Sequence, residues 1–312
     1  MFFKTALITG GAGCIGSSLA ERLLNDGVEV TVIDNLSSGK SEHVEKFMQD
    51  KKFTFIKGNI LEYDMEEIVN KDVVFHMSAN PDIKYKEGDA TDEDLRENTI
   101  ATYKVLEAMR AAGSKNIVFA SSSAVYGEAK VPTPEDTPLH PISLYGASKS
   151  ACEHLIGAYC SMFGFNSWIY RFSNVVGGKS RKTGTTVLTD FINRLRNTHN
   201  ELLILGNGKQ KKAYMTNDDC VEGMLYGVEN SNDKINIFNL GPDDCIEINK
   251  IAKIVASEMK LEPKIVYSGG DRGRLGDVPV SFFDTKKMKA LGWEPKHNSE
   301  QAVLAAVRQL LL

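Results

Sequence analysis

The sequence predicts an α/β protein built on a doubly wound parallel sheet, and three observations carry that prediction. Short apolar runs of strand length alternate with amphipathic helical stretches through the first half, a glycine-rich turn follows the first run, and an aspartate closes the second. The strands read as Thr5–Thr9, Glu29–Asp34, Phe53–Lys57, Val73–His76, Asn116–Ala120 and Ser167–Phe172. Helical periodicity falls on Ser17–Asp26, Asn98–Ala112 and Tyr145–Phe163. After Asn174 the pattern changes to Gly-rich and basic loops, a helix near Thr186–Asn197, a strand-like Leu202–Leu205 and a late helix over Asn249–Met259. This organisation predicts a Rossmann-type unit over 1–173, with a return segment 214–241, and a smaller interleaved C-terminal lobe over 174–213 and 242–312.

Composition narrows the function classes. The 312 residues are 42% hydrophobic and 25% charged, enough to bury a large core. A net charge of −4 provides no basic field for nucleic acid or an acidic membrane face. The five cysteines are odd in number and lack CxxC spacing, which points to neither a disulfide framework nor a zinc site, so no metal is expected. No stretch has the length and apolarity of a membrane span, and the start is too brief for a signal peptide. A cytoplasmic protein is expected.

The first strand runs into Gly10-Gly11-Ala12-Gly13-Cys14-Ile15-Gly16 and then a helix, the context that a dinucleotide-phosphate turn requires. Glycine lets the backbone approach a pyrophosphate closely, and the helix N-terminus offers N–H groups to the anion. Asp34, about 20 residues further on, is placed to accept hydrogen bonds from the adenosine ribose. No arginine follows it in Asn35-Leu36-Ser37-Ser38-Gly39, so NAD is expected rather than NADP. Asn59 and Ile60 after the third strand, and Ser78 and Ala79 after the fourth, lie at the carboxyl edge where the cofactor should sit. His76, at a buried strand end, is expected to pack rather than catalyse.

The fifth strand ends in Ser121-Ser122-Ser123-Ala124-Val125-Tyr126-Gly127, and a helix opens with Tyr145-Gly146-Ala147-Ser148-Lys149. Four residues of helix put Tyr145 and Lys149 on one face. An ammonium and a positive nicotinamide ring would both favour the Tyr145 phenolate, making it a base for a hydroxyl proton while hydride moves to the cofactor. Lys149 would also reach the nicotinamide ribose, and a serine hydroxyl would hold the reacting oxygen.

Together these residues resemble the extended short-chain dehydrogenase/reductase family, and nearly the full length is similar to its UDP-glucose 4-epimerase branch. The similarity continues through Arg171-Phe172-Ser173-Asn174-Val175-Val176-Gly177, Gly206–Lys212, Arg274–Val278 and Leu291–Pro295. It implies NAD held tightly through a cycle in which a sugar 4-hydroxyl is oxidised, the keto-sugar rotates, and hydride returns to its other face. Counting back from the Val-Tyr-Gly element places the catalytic hydroxyl on Ser122, with Ser121 and Ser123 as alternative registers. The resemblance assigns Tyr145 as base, Lys149 as its tuner and Asn98 a place near cofactor and substrate.

For the nucleotide diphosphate the resemblance implies Asn174 and two cations, Lys212 and Arg274. The first departs from the family's arginine and lacks its bidentate fork. Asp277 is expected to orient Arg274 or meet a ribose. Val187 and Tyr214 fall near the expected nucleobase pocket, with core packing as the alternative for each. Ser281 stands where a bulky tyrosine would exclude N-acetyl groups, so UDP-N-acetylhexosamines are expected to fit as well as UDP-glucose and UDP-galactose. The rivals are a nucleotide-sugar dehydratase or decarboxylase, which would carry acids where this chain has Ser123-Ala124, and a non-catalytic NAD-binding regulator. Apolar stripes (Val105, Leu106, Met109; Leu155, Ile156, Tyr159) on the helices near 98–112 and 145–162 suggest a homodimer, with in-chain packing as the alternative.

Overall fold

The computed structural model describes residues 2–80, 91–178, 186–274 and 276–312. The basic loop expected after Asn174 lies partly outside them, as does Leu275 of the Arg274–Asp277 motif. Six of the strands are β1 (Thr5–Thr9), β2 (Glu29–Asp34), β3 (Phe53–Lys57), β4 (Val73–His76), β5 (Asn116–Ser122) and β6 (Asn166–Phe172). The helices are α1 (Cys14–Asn25), α2 (Ala101–Ala112), α3 (Leu144–Phe163), α4 (Val187–Thr198), α5 (Asn217–Asn230), α6 (Ile248–Glu258), α7 (Lys286–Leu291) and α8 (Ser299–Leu311).

A seven-stranded parallel sheet runs in the order Ile235–Leu240, β6, β5, β4, β1, β2, β3. The chain winds outward from β1 to β3 and then resumes on the other side of β1 at β4. The crevice at the carboxyl ends of β1 and β4 is therefore the topological switch point, where such sheets bind ligands. The sequence reading had six strands. The seventh lies in the expected return segment, and only its pairing with β6 identifies it as part of the sheet.

Side-chain alternation decides which face each strand residue serves. Ala6 and Ile8 of β1 join a cluster with Leu19, Leu23 and Met224 of α1 and α5, whereas Leu7 joins Val105 of α2 and Ile156 of α3 on the other face. Each such fully buried leucine or isoleucine contributes roughly 1.5–3 kcal/mol by leaving water. A third cluster, with Leu188, Phe191, Leu202, Ile251, Val255 and Val303, fills the smaller lobe. Although the sequence reading put all of 242–312 in that lobe, Met288 of α7 and Trp293 pack on the sheet side with α5.

The stripes read as a dimer face take the alternative course. Val105, Leu106, Met109, Ile156 and Tyr159 are buried in the chain's own core, with Leu155 packed against it, because both helices must cover the sheet. Exposed apolar side chains nearby include Ile100, Tyr103 and Met162. Among the described residues no helix is long and apolar enough to cross a membrane, and all five cysteines are free thiols.

Candidate active site

The phosphate turn is built by exclusion of side chains. Gly10 has φ +68°, and a Cβ at Gly16 would sit 2.3 Å from the Gly10 carbonyl oxygen, so α1 can approach β1 only through glycine. Gly13 caps α1 in an extended conformation, without a side-chain hydrogen bond and with no acid in the first turn, so Cys14, Ile15 and Gly16 present an open, electropositive helix end. The helix thus begins at Cys14, three residues before the expected start. Cys14 Sγ donates to the Gly177 carbonyl at 3.3 Å.

Asp34 closes β2 beside this turn. Its carboxylate accepts from the backbone N–H of Ala12 at 2.9 Å and of Leu36 at 2.8 Å, which fixes it at the rim of the crevice. Asn35, Ser37 and Ser38 are exposed along the following loop, and Gly39 packs against Asp34 so closely that a Cβ would lie 2.9 Å from its carboxylate oxygens. Ser78 abuts Gly10, donating its N–H to Thr9 Oγ1 at 3.3 Å, with the part-buried Ala79 next to it. These groups fit a dinucleotide with a free ribose diol. Asn59 turns its Oδ1 back to the N–H of Leu61, and Ile60 is a buried residue packed with Met65 and Val69.

At the end of β5 the three serines separate. Ser121 points into the interior and donates to Glu153 at 2.5 Å, whereas the Ser122 hydroxyl accepts from the N–H of Ala124 at 3.2 Å and is near enough to the Tyr145 phenol to favour loss of its proton. Strand alternation is the reason: β5 runs two residues further than expected, so adjacent serines face opposite sides. Gly127 then turns the chain with φ +62°, where any Cβ would lie 1.9 Å from the His140 carbonyl oxygen.

Helix α3 is started by Ser143, whose hydroxyl accepts from the N–H of Gly146 at 3.1 Å. Lys149 is buried, donates to the Ala120 carbonyl at 2.6 Å and lies 6.0 Å from the centre of the Tyr145 ring. Burial pulls its ammonium down to about 8, against the opposing fields of Cys152, Glu153 and Asp94. Burial pushes Tyr145 up to about 12; the Ser122 hydrogen bond acts in the other direction, and Asp94 and Cys152 add to the rise. The charge of the nicotinamide ring, which the sequence reading joins to that of Lys149 in favouring the phenolate, belongs to the bound cofactor and is additional to these effects. The ammonium is turned onto a carbonyl, and desolvation outweighs its pull. His76, bonded to Thr9 Oγ1 at 2.7 Å and Thr102 Oγ1 at 3.0 Å, is held down to about 3 by burial and the Lys149 charge, which makes it a neutral packed residue.

Asn98 lies in a π-helical segment, Leu95–Ile100, ahead of α2. Buried there, it donates to Ser148 Oγ at 2.8 Å and to Asp94 Oδ1 at 3.2 Å, and it accepts from the N–H of Asn80 at 2.8 Å. Sequence reasoning missed Asp94, Asn80 and Ser148; the four-residue spacing of Asp94 and Asn98 was the available signal.

Several residues expected on the substrate side lie on paired strands, Asn174 opposite Tyr214 and Lys212 opposite Ser281. Asn174 is exposed, with its amide on the Ala213 carbonyl at 3.1 Å, and Tyr214 pairs with it in register. Lys212 differs from the expectation of a cation facing a diphosphate, since its ammonium donates to the Asp277 carboxylate at 2.7 Å and to the Val278 carbonyl. Asp277 correspondingly holds Lys212 rather than the Arg274 side chain. Among the described residues the Arg274 guanidinium makes no hydrogen bond or ion pair. Tyr214 and Val187 pack in or against the smaller lobe's core, the alternative foreseen for them, and burial pushes the Tyr214 phenol upward. Ser281 pairs with Lys212 in a parallel ladder, and the bulk of Phe283 goes to a cluster with Tyr126.

With that geometry in hand, comparison with known proteins is specific. The family model for the NAD dependent epimerase/dehydratase family matches residues 6–241. A putative UDP-glucose 4-epimerase of Methanocaldococcus jannaschii is 31% identical, over 96% of each chain. A crystal structure of a UDP-galactose 4-epimerase superposes with a TM-score of 0.87 at 36% identity, over 98% of each chain. A UDP-glucuronic acid decarboxylase 1 of Danio rerio is 30% identical, over 94% of this chain and 69% of its own length.

Proposed function

Because the chain belongs to the NAD dependent epimerase/dehydratase family, we propose that it is an NAD-dependent 4-epimerase of a UDP-hexose, acting by transient oxidation at C4. The observation that carries this reading is the convergence of Ser122 at the carboxyl edge of β5 with Tyr145 and Lys149 on one face of α3, Ser122 near enough to the phenol to act on its proton and Lys149 Nζ 6.0 Å from the centre of its ring. The open end of α1, with Asp34 at the rim, suits NAD, and the Arg274 guanidinium and Asn174 suit the diphosphate.

When bound, NAD supplies the hydride acceptor and positive charge beside the phenol. Tyr145 takes the proton of the C4 hydroxyl as the C4 hydride leaves, while Ser122 hydrogen-bonds the same oxygen. Lys149, still largely protonated at neutral pH, favours the phenolate. Once the keto-sugar had turned its other face, Tyr145 would give the proton back to the C4 oxygen as the bound cofactor restored the hydride it had held, so no net redox change would remain. Asn174 and Arg274 hold the diphosphate while the sugar moves. Ser281 leaves room for an N-acetyl group beside the hexose.

A decarboxylase is the second reading, supported by the 30% identical relative. Such a step needs an acid after the catalytic hydroxyl, and Ser123 and Ala124 carry none. A homodimer through the outer surfaces of the helices near 98–112 and 145–162, where Ile100, Tyr103 and Met162 are exposed, belongs to the proposal. So does a cytoplasmic location, suited to five free thiols. Incubation with UDP-galactose and, separately, UDP-N-acetylgalactosamine tests the reading. Conversion to the 4-epimer without NADH release, abolished by Tyr145→Phe, is expected. A pentose or 4-keto-6-deoxy product would replace the reading, and no turnover of either sugar by NAD-loaded protein would overturn it.

A further inference from the structure

We propose that Asn239 is a positioning residue for this reaction, its buried carboxamide clasping the turn that presents Ser122 to segment 281–284 and so fixing the reacting hydroxyl against the wall of the sugar pocket. The inference rests on the epimerase reading and goes beyond it, to a residue on the outermost strand of the sheet. Asn239 is fully buried in Ile235–Leu240, opposite Arg171 of β6. Its Oδ1 accepts from Tyr126 Oη at 2.7 Å. Its Nδ2 donates to the Thr133 carbonyl at 2.8 Å and to the Asp284 carbonyl at 3.2 Å. Its backbone N–H, on the outer edge of the sheet, goes to Glu135 Oε1 at 2.9 Å.

The partners require a carboxamide in this orientation. Both carbonyls can only accept, so they take the amide protons. The Tyr126 oxygen already accepts from Arg171 Nη1 at 2.8 Å, and a guanidinium only donates, so the phenolic proton goes to Oδ1. An aspartate would set an oxygen against the two carbonyls, and an aliphatic side chain would strand a buried hydroxyl proton. The two ends of the clasp are the ones the reaction uses. Tyr126 closes the short turn Ser123–Tyr126, whose start is capped by Ser122. At the other end Thr133 bridges Phe283: its N–H donates to the Phe282 carbonyl at 3.2 Å, and its carbonyl accepts from the N–H of Asp284 at 3.0 Å. Phe283 meets the Tyr126 ring edge-on, 6.2 Å between centres, and Ser281 stands two residues before it. Packing of two rings alone tolerates sliding, whereas three directional bonds from one buried amide set the height of the turn against the segment. A misplacement of about 1 Å can cost on the order of 10²-fold in rate.

Two substitutions in the NAD-loaded enzyme open the clasp at opposite ends. Tyr126→Phe removes the bond to the turn and keeps the ring; Asn239→Asp keeps an acceptor for Tyr126 and releases the Thr133 and Asp284 carbonyls. Each should lower kcat for UDP-galactose about tenfold or more, with bound NAD retained and the affinity for UDP, which lacks the hexose, unchanged. Because the effect passes through Ser122, the same substitutions should cost under about twofold in a Ser122→Ala background. An unchanged kcat, or an equal fold loss in both backgrounds, would reduce Asn239 to a structural residue and overturn the proposal. If Asn239→Asp does not fold, Tyr126→Phe carries the same cycle. Amide hydrogen exchange reads the clasp without turnover: exchange should rise in 122–127 and 281–284 together, with α1 and β1 unaltered. It decides the role of Asn239 if the wild type converts no nucleotide-sugar, in which case the epimerase reading alone falls. Exchange that rises throughout the chain, or in neither segment, counts against the clasp and ends the proposal.

Discussion

Beneath the serines of β5, Arg171 and Glu153 form an ion pair with both side chains 4% exposed, and breaking it is expected to be costly. Arg171 Nη2 meets Glu153 Oε2 at 2.7 Å and Nε meets Oε1 at 3.0 Å, a bidentate pair. Ser121 adds a donor to the same carboxylate, and Arg171 Nη1 reaches Tyr126 Oη and the Glu135 carbonyl, both at 2.8 Å. Burial works against the guanidinium charge, but the hydrogen bonds and field of Glu153 hold Arg171 above its ordinary range. Glu153→Gln leaves that cation uncompensated in the interior, at a cost of about 3–5 kcal/mol. An unfolding entropy of about 2.1 cal/mol/K per residue over the 312 residues turns this into a fall in Tm of about 5–8 °C. Arg171→Met should cost at least as much, since it leaves the buried Glu153 carboxylate without its cation and removes a donor to the Glu135 carbonyl. Combined with Glu153→Gln it should cost clearly less than the two separately, a coupling of about 2 kcal/mol. Calorimetry or urea denaturation of the four proteins measures the cycle. Single variants that each cost under about 1 kcal/mol, as a solvent-screened pair would, or that add without coupling, would refute the argument from burial.

Ser122→Ala should lower turnover about 10²-fold or more with Tm nearly unchanged, whereas Ser121→Ala should lower Tm and spare turnover; steady-state rates and melting curves on both separate the registers. Gly16→Ala drives a methyl into the Gly10 carbonyl and should abolish NAD retention, read by releasing nucleotide from purified protein; retained stoichiometric NAD would contradict the packing described. His76 has a folded-state value of about 3 against an ordinary 6.5. The unfolded chain therefore binds its proton first as pH falls, so this contribution is complete above 6.5 and is lost on acidification towards 3, at up to about 1.4 kcal/mol per pH unit. His76→Gln should flatten the urea-midpoint profile across that window, and an unchanged slope would show that other groups govern acid unfolding. Ser281→Tyr should reduce turnover of UDP-N-acetylgalactosamine relative to UDP-galactose, and an unaltered ratio would remove Ser281 from the sugar pocket.

Much of the fold was legible because its signals are local. Strand and helix periods, the glycine turn ahead of α1 and the four-residue step from Tyr145 to Lys149 need only neighbouring residues. The seventh strand was not distinguished because Ile235–Leu240 acquires its role only by pairing with β6. The Lys212–Asp277 bond joins residues 65 apart, which no local pattern contains, and the charge of Lys212 alone suggested an outward-facing cation. The helix stripes were ambiguous for a related reason: an apolar stripe records that something covers it, not whether that is the chain's own sheet.

The order of residues alone determined the class of sheet, the place of the cofactor turn, and a tyrosine and lysine on one helical face. These follow from covalent spacing and backbone geometry. Tertiary structure decided that Ser121 turns inward to Glu153 while Ser122 faces Tyr145, and that burial pushes the phenol upward. Those outcomes depend on desolvation and on fields from groups distant in sequence, and neither exists until the chain has closed around them.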